Sequence, residues 1–189
     1  MAVGHLRPIH GLSTVDESRI KDALTVLDQG REIAFSFEDM LKYHGPGSPG
    51  GVAHAFKMLQ RALPLLDPDR PPERRELAVR TAFGGPGARD AVELVTRAVT
   101  EARYVVDPSL GRPERGLGLE RFVFRLAYRD RAVTLICREG YVSDEFIALA
   151  RTPERTPEQE RRLVQMKLEL ADHVMSASAA DVYEVADSS

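Results

Sequence analysis

Apolar residues recur at helical spacing in some stretches of this 189-residue chain and alternate with polar ones in others. Ile20, Ala23, Leu24 and Leu27 share one helical face behind Thr14-Val15-Asp16-Glu17, which has capping-box spacing. The pattern predicts a first helix that Gln29-Gly30 ends. A second helix is predicted over about 36–43, and a third over 52–66, where Val52, Phe56, Leu59, Leu63 and Leu66 make one apolar stripe. Pro64 ends or kinks that helix in its last turn, and 67–73 is a Pro-rich loop. Residues 75–83 read as a strand leading into Gly84-Gly85-Pro86-Gly87, and 88–100 as a helix. Strands are predicted at 102–106, 121–128 and 132–138. The middle one sets Phe122, Phe124, Leu126 and Tyr128 on one face, and its link to the next is of hairpin length. A Pro/Gly-rich loop at 107–118 precedes it, placed to border a pocket. Ser143-Asp144-Glu145 starts a short helix through Ala150. Thr156-Pro157-x-Gln159 starts a long one to about Met175.

Helix, strand, helix and then three strands predict an α+β fold with a mixed sheet, extended by N- and C-terminal helices. Residues 1–12 lack periodicity and read as a flexible arm; 13–186 reads as a single domain. A hydrophobic fraction of 43% suffices for a core at this length. The 26 basic residues, mostly arginine, are interspersed with 29 acidic ones, for a net charge of −3. No field of that kind gathers nucleic acid or an acidic membrane surface. No run reaches the about 20 apolar residues of a membrane span. The N-terminal stretch has no secretory pattern and the one cysteine, Cys137, allows no internal disulfide, so the expected location is the cytoplasm. The arginine bias suggests a GC-rich bacterial genome.

The densest candidate chemistry lies at residues 44–51. His44 ends a helix and enters Gly45-Pro46-Gly47-Ser48-Pro49-Gly50-Gly51, which leads into the next helix. Glycines permit close backbone approach, and a helix start leaves amides free to hold a ligand, so Gly45, Gly47 and Gly50 are candidate binding positions. His44 can bind a metal or move a proton, or simply hydrogen-bond its own turn. As a loop imidazole it is expected to add little packing. His54, one turn into the next helix and across from the apolar stripe, can face back toward His44 as a second metal ligand or lie exposed. Ser48 is a candidate catalytic hydroxyl beside His44, or a helix cap. Asp90 either caps its helix or orients His44. Cys137, within an apolar run, reads as a small buried hydrophobe, and His173 suits the C-terminal end of the last long helix. Arg80, Arg89 and Arg97 can hold an anion, but surface ion pairs are their commoner use.

Three stretches resemble the E-subunit family of formylmethanofuran dehydrogenase. His44-Gly45-x-x-x-Pro49-Gly50 after Phe37-Glu38-Asp39-Met40-Leu41-Lys42-Tyr43 is similar to the family's His-Gly-His-x-Cys-Pro-Gly motif. Asp90-Ala91-Val92-Glu93-Leu94-Val95-Thr96 resembles its Asp-Ala-(Ile/Val)-Gln-x-Leu-Thr stretch. The ending, Thr156-Pro157-Glu158-Gln159-Glu160-Arg161-Arg162 and later Asp181-Val182-Tyr183-Glu184-Val185, resembles the family's tail. Together these span about 33–186. The resemblance implies a fold akin to the catalytic domain of glyceraldehyde-phosphate dehydrogenase, a homodimer and a metal at the turn.

The departures are as specific. Pro46 and Ser48 stand where the family has a histidine and a cysteine; Gly87 and Ala98 replace two further cysteines. A C-terminal zinc ribbon has no counterpart. One cysteine cannot supply an iron–sulfur cluster, so any metal would be a zinc, iron or nickel ion on imidazole and oxygen donors, with His44 and His54 as ligands. A small-molecule pocket is expected at residues 44–51, walled by the loops at 84–90 and 107–118. Two function classes stay open. One is a metal- or small-molecule-binding protein with a His-centred site, an enzyme included. The other is a non-catalytic accessory subunit that keeps the fold without the chemistry.

Overall fold

The computed structural model describes residues 23–186 and shows an α+β fold. It opens with a two-stranded hairpin, β1 (Leu24–Asp28) and β2 (Arg31–Phe35). This corrects the first predicted helix where it can be checked; its capping box and Ile20 lie outside the described residues, as do residues 1–12. Leu24 and Val26 face inward in alternation, and Gln29 and Gly30 have φ of 54° and 76°. A Gln-Gly pair serves equally as a helix stop or as a two-residue hairpin turn with both φ values positive. Pairing with β2 decides for the turn.

Helices α1 (Phe37–His44) and α2 (Pro49–Leu66) follow. Ser36 and Asp39 form a full capping box on α1, so its start is set locally. Then come β3 (Leu77–Thr81), α3 (Pro86–Thr96), β4 (Tyr104–Val106), a short α4 (Gly116–Leu119), β5 (Val123–Tyr128) and β6 (Arg131–Cys137). The chain closes with α5 (Asp144–Arg151), α6 (Pro157–Ser176), a short α7 (Ala179–Val182) and β7 (Tyr183–Val185). The sheet order is β4-β3-β5-β6-β7, with β3 and β4 parallel and the other pairs antiparallel.

One face of the sheet carries Leu77, Val79, Phe124, Leu126, Leu135 and Tyr183, all buried against the helices. α2 is the central helix. Eight successive residues, Val52 through Leu59, are buried. An apolar stripe marks the face that any helix of this kind would bury; here α3, α6 and the sheet cover the remaining faces as well. The opposite sheet face is covered locally, where Leu110 packs on Val123, Ile136 and Ala186. Among the described residues no helix is long and apolar enough to cross a membrane.

Candidate functional site

Two helix starts meet at the glycine turn. α1 stops at Gly45, whose φ of 82° suits glycine, and its amide donates to the Leu41 carbonyl at 2.8 Å. Pro49 begins α2 and Pro86 begins α3, where a missing amide hydrogen costs nothing. α3 lies so close to the turn that a Cβ on Gly87 would sit 2.5 Å from the Ser48 carbonyl oxygen. A Cβ on Gly50 would meet Leu170 of α6 at 2.8 Å. Glycine at 87 and 50 thus sets how tightly α3 and α6 approach the start of α2. Lys167 of α6 ties in too, its Nζ donating to the Gly47 carbonyl at 2.8 Å.

His44 hangs from the last turn of α1, and its Nδ1 lies 2.8 Å from Asp90 Oδ2 on α3. Asp90 sits inside α3, past the Gly85 cap position, so it does not cap that helix. The imidazole is not a loosely packed loop side chain, for only 8% of it is exposed. Its Nε2 is buried and has no hydrogen-bond partner among the described residues, and a Cβ on Gly47 would lie 3.8 Å from it. A carboxylate on one ring nitrogen fixes the tautomer and leaves the other nitrogen as the working atom. Removing either partner should cost about 1 kcal/mol, and removing both should cost little more than one, giving a coupling of about 1 kcal/mol. Urea unfolding of His44→Ala, Asp90→Ala and the double variant checks this; strictly additive losses would refute the pairing.

Beside this turn lies a cavity of about 290 Å³, bounded by the starts of α2 and α3 and by α5 and α6. Its walls are largely apolar, with Phe83, Phe122, Phe146, Ile147 and Leu163 among them. Ser48, Gly50 and Gly51 line it, and Gly85, Pro86 and Gly87 form the facing edge. Ser48 holds the cap position of α2, but its hydroxyl makes no capping hydrogen bond. The loop at 107–118 is not a wall of this cavity. It instead covers the far side of the sheet through Leu110 and meets the start of α5, where the Gly118 amide donates to Asp144 at 2.6 Å.

His54 is the wholly buried polar group of the cavity lining. Its place opposite the apolar stripe suggested an exposed or turn-facing ring; the burial of α2 on every side overturns the exposed one. The ring packs against Phe122 at 4.8 Å between centroids, and its Nδ1 lies 3.0 Å from the Tyr183 hydroxyl on β7. His44 and His54 therefore have different partners. Burial pulls the pKa of His54 down to about 4, against an opposing pull from the Tyr141 backbone, so the ring is neutral at pH 7. Its Nε2 is a second buried nitrogen that meets no side-chain or backbone partner within hydrogen-bond distance among the described residues.

The other candidates fall outside the site. Cys137 is buried in the sheet, and desolvation pushes its thiol up to about 12, far from a reactive thiolate. His173 stacks on Tyr141 with centroids 5.0 Å apart. Arg80, Arg89 and Arg97 pair with Asp107, Asp90 and Glu93. A larger hollow of about 450 Å³ beside Pro64 and Pro68 is lined by no histidine or cysteine among the described residues and abuts Ala23, the first of them. Among the described residues no three His, Cys, Asp or Glu side chains are grouped to hold a metal ion. No protein-family model matches the chain, and no curated protein matches it.

Proposed function

We propose that this is a small-molecule-binding protein akin to the E-subunit family of formylmethanofuran dehydrogenase, cytoplasmic, with its ligand in the cavity at the start of α2. The carrying observation is the largely apolar cavity bounded by two helix starts, with the wholly buried His54 in its wall. Metabolite sites combine apolar walls with a few placed polar groups in this way. At about 290 Å³ it lies at the small end of the usual range, which suits a compact metabolite. His44, held by Asp90 with its Nε2 buried, is the proton-transfer candidate at the same turn.

A thiolate metal centre does not fit these residues, since Cys137 is in the sheet and Ser48 holds the turn. Among the described residues a metal ion on His44 Nε2 finds no group of three donors. That grouping favours binding over metal chemistry, and it is what supports the second reading, a non-catalytic accessory protein. The exposed Val164 and Leu168 on one face of α6 support a homodimer of about 42 kDa, twice the 21.0 kDa chain. Light scattering that returned the monomer mass at micromolar concentration would refute it.

The ligand reading is tested by titrating the protein with uncharged aromatic fragments, such as benzyl alcohol and indole, and following methyl resonances of Ile147, Leu163 and Leu170. These three should shift together. In Ala150→Trp, which fills the cavity from an exposed position on α5, the shifts should vanish while the fold persists. Shifts that survive this substitution, or no shift at all, would reject the cavity as the site. Calorimetry with Zn²⁺, Ni²⁺ and Fe²⁺ on wild type and His44→Ala tests the metal alternative separately; equal, negligible heats would leave His44 with an acid–base role only.

A further inference from the structure

We infer that the cavity takes an uncharged ligand built on one aromatic ring, with a ligand hydroxyl or carbonyl meeting the Ser48 hydroxyl. This rests on the cavity being the ligand site.

The preference for an aromatic ring follows from the wall. Phe83, Phe122 and His54 line it as a continuous series of rings, with centroids 4.4 Å apart in the first pair and 4.8 Å in the second. Phe122 and His54 are buried, whereas Phe83 is half-buried and keeps ring surface uncovered. Two features hold Phe83 in place. Its amide donates to the buried Thr81 hydroxyl at 2.9 Å, and its ring lies so close over Gly85 that a Cβ there would meet Cε1 at 2.5 Å. Phe146 of α5 adds a second half-buried ring to the lining. Aromatic rings attract one another in edge and offset contacts beyond the apolar area they cover. A ligand ring against Phe83 or Phe146 therefore gains over a saturated ring of the same size, and about 290 Å³ holds one ring with a short substituent.

The absence of charge follows from the polar groups of the lining. No carboxylate among the described residues belongs to it. Arg155 is engaged by Glu160 at 2.8 Å and by the Thr152 carbonyl at 2.7 Å. Lys167 draws its Nζ out to the exposed Gly47 carbonyl at 2.8 Å, which leaves its methylene stem as its share of the wall. His54 is neutral at pH 7. An ion would thus leave water for walls that hold no free counter-charge, a cost that apolar contact does not offset. Ser48 is the polar side chain of the lining that stays uncommitted. Its hydroxyl makes no capping bond and has no other partner among the described residues. A hydroxyl both donates and accepts, so it suits an alcohol, a phenol or a carbonyl on the ligand.

Four probes of similar size separate the possibilities: benzyl alcohol, cyclohexylmethanol, benzoate and benzylamine. Each is titrated into the full chain with the methyl resonances of Ile147, Leu163 and Leu170 as the readout. Benzyl alcohol should bind about fivefold more tightly than cyclohexylmethanol and at least about tenfold more tightly than either ion. Phe83→Leu should erase the preference for the aromatic ring while cyclohexylmethanol still binds; the wild-type ratio decides the matter if that variant does not fold. Ser48→Ala, which removes no capping bond, should weaken benzyl alcohol about fivefold and leave toluene binding unchanged. Cyclohexylmethanol binding as tightly as benzyl alcohol, either ion doing so, or an unchanged affinity in Ser48→Ala would overturn the inference and leave the cavity reading standing. Failure of every probe, indole included, would reject the cavity reading itself, and this inference with it.

Discussion

Lowering the pH from 7 to 4 should cost this protein about 3 kcal/mol of stability through His54 alone. The unfolded imidazole protonates near 6.5, whereas burial holds the folded one neutral down to about 4. Between those values the unfolded state binds a proton that the folded state does not, so stability rises with pH across that window. The contribution is fully present above 6.5, is lost as pH falls, and levels off below about 4. No carboxylate among the described residues lines the cavity to offset the cost of charging the ring, and the Tyr141 backbone offsets only part of it. Urea unfolding of wild type and His54→Gln at several pH values isolates the effect. Carboxylates held low by arginine partners, such as Glu76 and Glu120, add acid sensitivity of their own, but equally in both proteins. The wild type should lose stability more steeply as the pH falls through this window. Parallel curves, or a His54 ring that titrates at the ordinary imidazole value by NMR, would contradict the buried, half-paired imidazole.

This histidine also marks where the sequence ceased to be informative. Helices α1, α5 and α6 were legible because their starts are written locally, in Ser36 with Asp39, in Ser143 and in Thr156 with Gln159. β5 was legible from its alternation, and β6 from the hairpin-length link that joins the two. The hairpin β1–β2 was not, since Leu24 and Leu27 fit a helical face as well as a strand and only pairing with β2 separates the two. The fate of His54 depends on α6 and β7, which lie about a hundred residues or more further along and cover a face of α2 that its own stripe does not mark. The same separation hid Phe146, Ile147, Leu163 and Lys167 as cavity walls. The amphipathic start of α5 was the available signal, but periodicity shows that a face is covered without naming what covers it. For His44 and Asp90 the sequence offered a possible partnership, and only the packing of α3 against α1 brings the two atoms to 2.8 Å.

That packing depends on Gly87, and Gly87→Ala should destabilise the protein by about 2–3 kcal/mol. The added Cβ would lie 2.5 Å from the Ser48 carbonyl oxygen, 3.0 Å from the Val52 amide nitrogen and 3.2 Å from Ser48 Cβ. Two of these are backbone atoms at the start of α2, so no side-chain rotation relieves the clash; α3 must move as a body. Alanine in a helix ordinarily gains up to about 1 kcal/mol over glycine, so the expected loss is what remains after that gain. Gly51→Ala provides the contrast, because its Cβ would meet its nearest neighbour, the Ala88 nitrogen, at 3.4 Å and should leave stability nearly unchanged. Gly84→Ala should be equally mild, with only Val106 within reach at 3.9 Å. Moving α3 also draws Asp90 off His44 and opens the cavity edge formed by Gly85 to Gly87. Gly87→Ala should therefore weaken fragment binding even under conditions where it is fully folded, while Gly84→Ala should not. Thermal and urea unfolding of the three variants, with fragment titration of each, reads both effects. Equal stability for Gly87→Ala and wild type would mean that the two helix starts are not in contact, and the site built on their junction would fall with it.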